Sequence, residues 1–212
     1  MEGNERVWHR EAIRPQVERT LCDLQTLGSL DGFYLAGGTG LALYLGHRRS
    51  HDLDFFSGDP VEPEGLIRGM KSLAGFAVAS QAPDTLHVTV QSIKVSFLAY
   101  PYPVLFPFAT FLGVKVADPR DIACMKLSAI ANRGTKRDFV DLYVMAKQCG
   151  LAHLLERFKQ KYGEVNQSLT HVLKSLSWFE DADKDPMPDM LAPLPWEDVK
   201  LYFRSEASRL SP

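Results

Sequence analysis

The chain has 212 residues, 45% hydrophobic and 24% charged, with 24 Lys and Arg against 26 Asp and Glu for a formal charge of -2. That length supports a substantial core, and 15 glycines and 13 prolines are too few for a low-complexity or disordered chain. Near-neutral charge excludes a protein that coats nucleic acid by bulk attraction, which needs a clear basic excess, so any such contact has to be local. Cys22, Cys124 and Cys149 are odd in number and lack CxxC spacing, which argues against a disulfide framework or a zinc site. The first twenty residues are charged and lack a signal-peptide core. No stretch approaches the roughly 18 apolar residues of a membrane span, so the expectation is a soluble cytoplasmic protein with no membrane contact.

Val7, Ile13, Val17, Leu21, Leu24 and Leu27 are spaced as on one amphipathic helix over Glu5 to Leu27, ended by Gly28. Phe33 to Ala36 reads as a short buried strand running into Gly37 and Gly38, and Thr39 to Leu45 as an apolar helix. A basic turn leads to a strand over Leu53 to Phe56, and a helix is expected over Pro60 to Ala74. Phe76 to Ala79, Thr85 to Gln91 and Lys94 to Ala99 alternate with period two, which predicts an antiparallel extension of the sheet. YPYPVLFPF is a proline-punctuated loop, and Val114 to Val116 is a last short strand.

Beyond residue 117 the pattern turns helical. Asp118 followed by Pro119, with Asp121 three residues after the cap, is a start signal for a helix to about Asn132. Helices are expected over Lys136 to Gln148, Ala152 to Tyr162, Val165 to Leu176 and Trp196 to Leu210, with FEDADKDPMPDMLAPLP as an acidic loop before the last. The fold class is therefore α+β: a mixed-sheet domain with an N-terminal helix over residues 1–117, and a helical region over 118–212 packed on it.

The chemistry concentrates in two short stretches. A strand, a Gly37–Gly38 turn and a helix start present free backbone N–H groups and the positive end of a helix dipole, where a phosphate can sit. Asp52 and Asp54 alternate along a strand, so both carboxylates point to one face while Leu53 points to the core. Paired carboxylates are natural ligands for hard divalent cations. Each piece alone has a plain structural reading, a tight turn and a solvated strand end, but a polar pair entering so apolar a run as LDFF needs a reason.

The GG(T/S), spacer, Dh(D/E) pattern resembles the nucleotidyltransferase fold of the polymerase beta type. More closely, YLAGGTGLALYLGHRRSHDLDFF, KVSFLAYPYPVL, VADPRDIACMKLSAIANRGTKRDFVDLY and SWFEDADKDPMPDML resemble the AbiEii/AbiGii toxin family of nucleotidyltransferases, which includes the MenT toxins; the likeness covers roughly residues 30 to 195. It implies transfer of a nucleotide from an NTP, with Mg²⁺ or Mn²⁺, onto an acceptor such as the 3′ end of tRNA, opposed by a cognate antitoxin of the transcriptional-regulator type. By the same resemblance Gly37, Gly38 and Thr39 match the phosphate-binding turn, Asp52 and Asp54 the metal ligands, Lys126 the helical lysine, and Asp138 and Asp141 the acidic motif.

Lys126 stands out independently. Its helical neighbours Ile122, Ala123, Ala129 and Ile130 are all apolar, so its face turns inward and the ammonium either snorkels or meets an anion. Asp138 has a local alternative, since Thr135-x-x-Asp138 resembles a capping box. His47, Arg48, Arg49 and His51 form a basic turn, either a seat for a triphosphate or RNA phosphate or a solvated loop. Arg133, Lys136 and Arg137 form a second cluster. Tyr100, Tyr102 and Phe106 either stack on a base or pack in the core, and His87, His153 and His171 have no ligand spacing. One departure is plain: where polymerase-type transferases carry a third carboxylate, KVSFLAY has Ser96, which is no base at neutral pH. Two further readings stay open, transfer onto protein hydroxyls and a non-catalytic nucleotide-binding module.

Overall fold

The computed structural model describes residues 7–166 and 168–210. Of the first expected helix, residues 5 and 6 lie outside the described residues. The rest is a 3-10 turn (Arg10–Ala12), an extended Ile13 that bridges to Ser50, and helix α1 (Pro15–Thr26). Pro15 imposes the break. It excludes the helical region for the residue before it and has no N–H to donate, yet at the first helical position neither matters.

Seven strands form one mixed sheet: β1 (Tyr34–Leu35), β2 (Leu53–Ser57), β3 (Ala77–Ala82), β4 (Thr85–Val90), β5 (Ile93–Ala99), β6 (Ala109–Phe111) and β7 (Val114–Val116). Their order is β3-β4-β5-β2-β1-β7-β6. The antiparallel β3-β4-β5 ribbon joins the centre through a parallel β5–β2 pairing, β2 and β1 are antiparallel, and β1 is parallel to β7. Helix α2 (Gly37–Leu45) begins at the glycines rather than after them, and α3 (Pro63–Met70) is shorter than the expected Pro60 to Ala74 helix.

Alternation along β2 divides the molecule. Leu53 and Phe55 are fully buried with Val17, Leu21 and Leu24 of α1, Met70 of α3, and Val95 and Phe97 of β5. Phe56 packs on the opposite side, against the core of the C-terminal helices. Asp54 shares that second face. The helices there are α4 (Pro119–Asn132), α5 (Lys136–Cys149), α6 (Leu151–Asn166), α7 (Leu169–Ser175), α8 (Glu180–Lys184) and α9 (Trp196–Leu210). Asp118 caps α4, accepting from Arg120 N–H at 2.9 Å, with Pro119 at the first position. Gly163 leaves the helical region inside α6, and α7 begins only at Leu169, where Ser168 accepts from His171 N–H.

The expected acidic loop is different in kind. Residues 180–184 form α8, and the segment after it folds back on the basic turn: Arg49 N–H donates to Asp189 O at 2.7 Å and Leu191 N–H to His47 O at 3.0 Å. The tyrosine-rich loop packs rather than waits for a base. Tyr100 and Tyr162 share a hydroxyl hydrogen bond, and Asp121 anchors the loop by accepting from Leu105 and Phe106 N–H while paired with buried Lys161 at 2.8 Å.

Candidate active site

The sheet face toward the helices opens into a polar cavity of ≈ 210 Å³ lined by Gly38, Arg48, Ser50, Asp52, Asp54, Lys126, Arg133, Thr135, Arg137 and Asp138. Three pieces of chain supply it: the turn into α2, the segment entering β2, and the α4–α5 corner.

The glycines are there because side chains do not fit. A Cβ on Gly37, whose φ is +61°, would stand 2.7 Å from Asp54 Oδ2, and one on Gly38 would stand 2.4 Å from an Arg48 guanidinium nitrogen. The first turn of α2 therefore lies directly against the carboxylate and the cation. Thr39 is buried; its hydroxyl donates to the carbonyl of Asp52 and lies 2.8 Å from Ser50 Oγ, which ties α2 to the entry of β2. Ser50 carries no motif signal of its own, and sequence reading passed over it.

The two aspartates differ in setting. Asp52 is 42% exposed, with Arg137 at 4.0 Å. Asp54 is largely buried, and burial pushes its carboxyl above the usual range while the Ser96 hydroxyl draws it partly back. In register, Asp54 lies beside Ser96 of β5 and Ser96 beside His87 of β4; His87 Nδ1 and Ser96 Oγ are 3.1 Å apart. A row Asp54–Ser96–His87 thus crosses three strands at the place of the missing third carboxylate. Sequence spacing could not show it, because register across strands is a tertiary property.

Lys126 points inward from α4, and its ammonium meets Asp138 at 2.9 Å and Asp141 at 2.7 Å. Asp141 also receives a bidentate bond from Arg48, at 2.6 and 2.8 Å, and lies 2.8 Å from His47 Nε2. Burial opposes charge on Lys126, Arg48, Asp138 and Asp141, and mutual attraction overrides it. Lys126 and Arg48 are held above their usual values, Asp138 below its own through Lys126 and Arg133, and Asp141 well below through Lys126 and Arg48. Thr135 is not the cap of a capping box. Its hydroxyl donates to Asp138 Oδ2 at 2.6 Å and makes no cap bond to α5.

Gly38, Asp52, Asp54, Lys126, Asp138 and Arg48 therefore converge on one cavity, with Gly37 and Thr39 immediately behind it. Two further candidates lie away from its wall. Asp141 has no exposed surface, and Arg49 turns to the neighbouring groove and faces Asp189 at 3.3 Å.

The donor set fits a hard divalent cation. Asp52 and Asp54 are oxygen donors two residues apart on one face, and the burial cost of ionising Asp54 is what a cation relieves. Among the described residues no three His, Cys, Asp or Glu side chains form a ready cage. Such a pair suits an ion that keeps water and phosphate oxygens in its remaining positions.

A mixed sheet carrying a glycine turn, an α2 start and paired aspartates against an inward lysine defines the nucleotidyltransferase fold. MenT4, a nucleotidyltransferase toxin of Mycobacterium tuberculosis H37Rv, superposes with a TM-score of 0.57 at 19% identity, covering 93% of this chain and 87% of that one. JHP933 of Helicobacter pylori superposes with a TM-score of 0.51 at 18% identity, covering 92% and 90%. The chain belongs to the AbiEii family, matching it over residues 19–208 as "Nucleotidyl transferase AbiEii toxin, Type IV TA system". An uncharacterized protein of Aquifex aeolicus (strain VF5) is 37% identical over 198 residues, spanning 91% of this chain and 94% of the relative. Among the described residues no helix is long and apolar enough to cross a membrane.

Proposed function

We propose that this member of the nucleotidyltransferase toxin family transfers a nucleotide from an NTP to the 3′ end of tRNA in the cytoplasm, as a toxin opposed by a cognate antitoxin of the transcriptional-regulator type. The observation that carries the reading is the meeting of the Gly37–Gly38 turn, Asp52 and Asp54, and Lys126 around one cavity. Asp52 and Asp54 would hold Mg²⁺ or Mn²⁺, which when bound neutralises phosphate charge and activates the attacking oxygen.

The chain's own groups do the rest. The N–H groups at the start of α2, over Gly37 to Thr39, receive the NTP phosphates, helped by the helix dipole. Lys126 and Arg48 are charged and pre-oriented by buried aspartates, so they stabilise developing negative charge without reorganising. Asp138, whose carboxylate is held below its usual range, orients the acceptor hydroxyl more readily than it removes a proton. Asp141 acts from behind, holding Lys126, Arg48 and His47 in place. Arg133 and Arg137, whose side chains are 68% and 60% exposed, meet acceptor phosphates at the rim.

The test is incubation with each labelled NTP, Mg²⁺, total tRNA and cell protein. Label is expected on tRNA and lost by about a thousandfold or more in Asp52→Asn with Asp54→Asn, with the far-UV spectrum unchanged. Label on protein instead supports transfer onto protein hydroxyls. NTP binding without product under any metal supports a binding module, the reading that Ser96 favours.

A further inference from the structure

Trp178 is the largest of the exposed hydrophobic side chains among the described residues. The chain turns after α7, with Trp178 N–H donating to Ser175 O at 3.1 Å, and Phe179 then plunges into the core, its ring 5.0 Å from that of Phe139. Phe179 fixes the backbone while its neighbour points outward: Trp178 is 61% exposed and has no ring partner among the described residues. A lone exposed aromatic residue is ordinary. This one lines an open cavity of ≈ 350 Å³ whose far wall is the end of α4 and the Arg133–Gly134 turn. That size lies within the range of small-molecule sites.

Arg133 lines both this cavity and the catalytic one, so the two adjoin at that residue. The remaining wall mixes two apolar residues, Ile130 and Ala131, with groups that suit a planar heterocycle and its phosphate: Asn132, His171, Lys174 and Ser175. Lys174 is exposed and has no acidic partner among the described residues, while Asp181 at the rim is paired with Lys184 at 3.0 Å. Arg133 is 68% exposed and reaches Asp138 at 3.3 Å; a stacking face beside exposed cations is how proteins hold unpaired bases.

We propose that this cavity seats a nucleobase on the indole of Trp178, with Arg133 and Lys174 on the attached phosphate. The inference rests on reading the neighbouring site as a nucleotidyl-transfer centre. The base has two sources, the incoming NTP and the unpaired end of the RNA acceptor.

Dead-end ligands separate the seat from the reaction. Wild-type protein is titrated with each α,β-imido NTP plus Mg²⁺, and separately with a short single-stranded RNA ending in a 3′-deoxy nucleotide, following tryptophan fluorescence. One of the two should quench a component that is absent in Trp178→Leu, leaving Trp8 and Trp196 as the remaining emitters. In turnover, Trp178→Ala should raise KM for that same substrate by about tenfold with kcat nearly unchanged, and Trp178→Phe should recover most of the loss. A rise confined to KM for NTP assigns the seat to the incoming nucleotide; a rise confined to KM for RNA assigns it to the acceptor. Unchanged quenching in Trp178→Leu, or both KM values within about twofold in Trp178→Ala, overturns the proposal while leaving nucleotidyl transfer standing. Quenching that depends on Trp178 in a protein that incorporates no label upholds the seat and sinks the transfer reading.

Discussion

Asp54 shows how one residue's environment trades stability for chemistry. Its carboxyl is buried against Gly37 and β5, and burial raises its folded value despite Ser96. For an acid so shifted, folding takes up a proton. Stability falls as pH rises from the unfolded value of about 3.9 through the folded one, and the penalty is complete above the folded value. Asp54→Asn removes the charge and keeps the size. We expect it to raise the midpoint of thermal unfolding at pH 7 by roughly 2–4 °C, for a gain of about 1 kcal/mol. Adding Mg²⁺ should raise the wild-type midpoint and leave the variant's unmoved. Calorimetry with and without the ion decides it: a variant less stable than wild type would show that Asp54 is a structural acceptor and not a strained ligand.

At the level of elements, α4 and α5 are joined to the basic turn by one buried cluster, Lys126, Asp138, Asp141, Arg48 and His47. Asp141 is fully buried and receives Arg48 twice and Lys126 once, so Asp141→Asn leaves buried Arg48 without its carboxylate and Lys126 with Asp138 alone. Breaking a buried pair in this way costs about 3–5 kcal/mol, a fall of roughly 6–20 °C for a chain of this length. The stabilisation from Asp141, whose folded value is depressed, is complete above the unfolded carboxylate value and is lost only as pH falls through the folded one. The Asp141→Asn defect should therefore be constant from pH 6 to 8 and shrink in acid. Thermal melts across that range check it, and a defect that appears only at alkaline pH would contradict the assignment.

What could be read from the residues divides by the range of the forces involved. The start of α4 was legible because Asp118 and Pro119 are local signals, and the inward turn of Lys126 because its apolar neighbours recur at helical spacing. The break at Pro15 was also written locally, in a residue that cannot continue a helix from its N-terminal side, yet apolar periodicity across it pointed to one helix. β6 follows directly on the proline-punctuated loop and buries only Phe111 of its three residues, so no apolar run marks it. The Asp54–Ser96–His87 row and the return of residues 185–191 onto the 47–49 turn depend on strand register and on chain reversal, for which no spacing rule exists.

That chain reversal alters how the whole molecule's charge is laid out. In sequence the acidic stretch lies more than a hundred residues from the basic turn, and the two read as separate patches. Folded, Asp189 faces Arg49 at 3.3 Å and Asp185 accepts from Lys136 N–H at 3.0 Å. Arg49 is thus partly neutralised by Asp189, while Lys136 is buried with its ammonium on the Asp185 carbonyl, so neither is free for RNA. Arg133 and Arg137, with Lys174 beyond them, carry the remaining attraction around the cavity. With about two to three phosphate contacts, the logarithm of tRNA affinity should fall against the logarithm of salt with a slope of roughly -1.5 to -2, shallow for a nucleic-acid binder. Asp189→Asn releases Arg49, which is exposed and beside the cavity mouth, so it should tighten binding at low salt and steepen the slope by about 0.7. Fluorescence anisotropy of labelled tRNA across a salt series reads both numbers. A slope near zero in wild type and variant alike would mean that the acceptor is not held by its phosphates, and would move the balance to a protein hydroxyl.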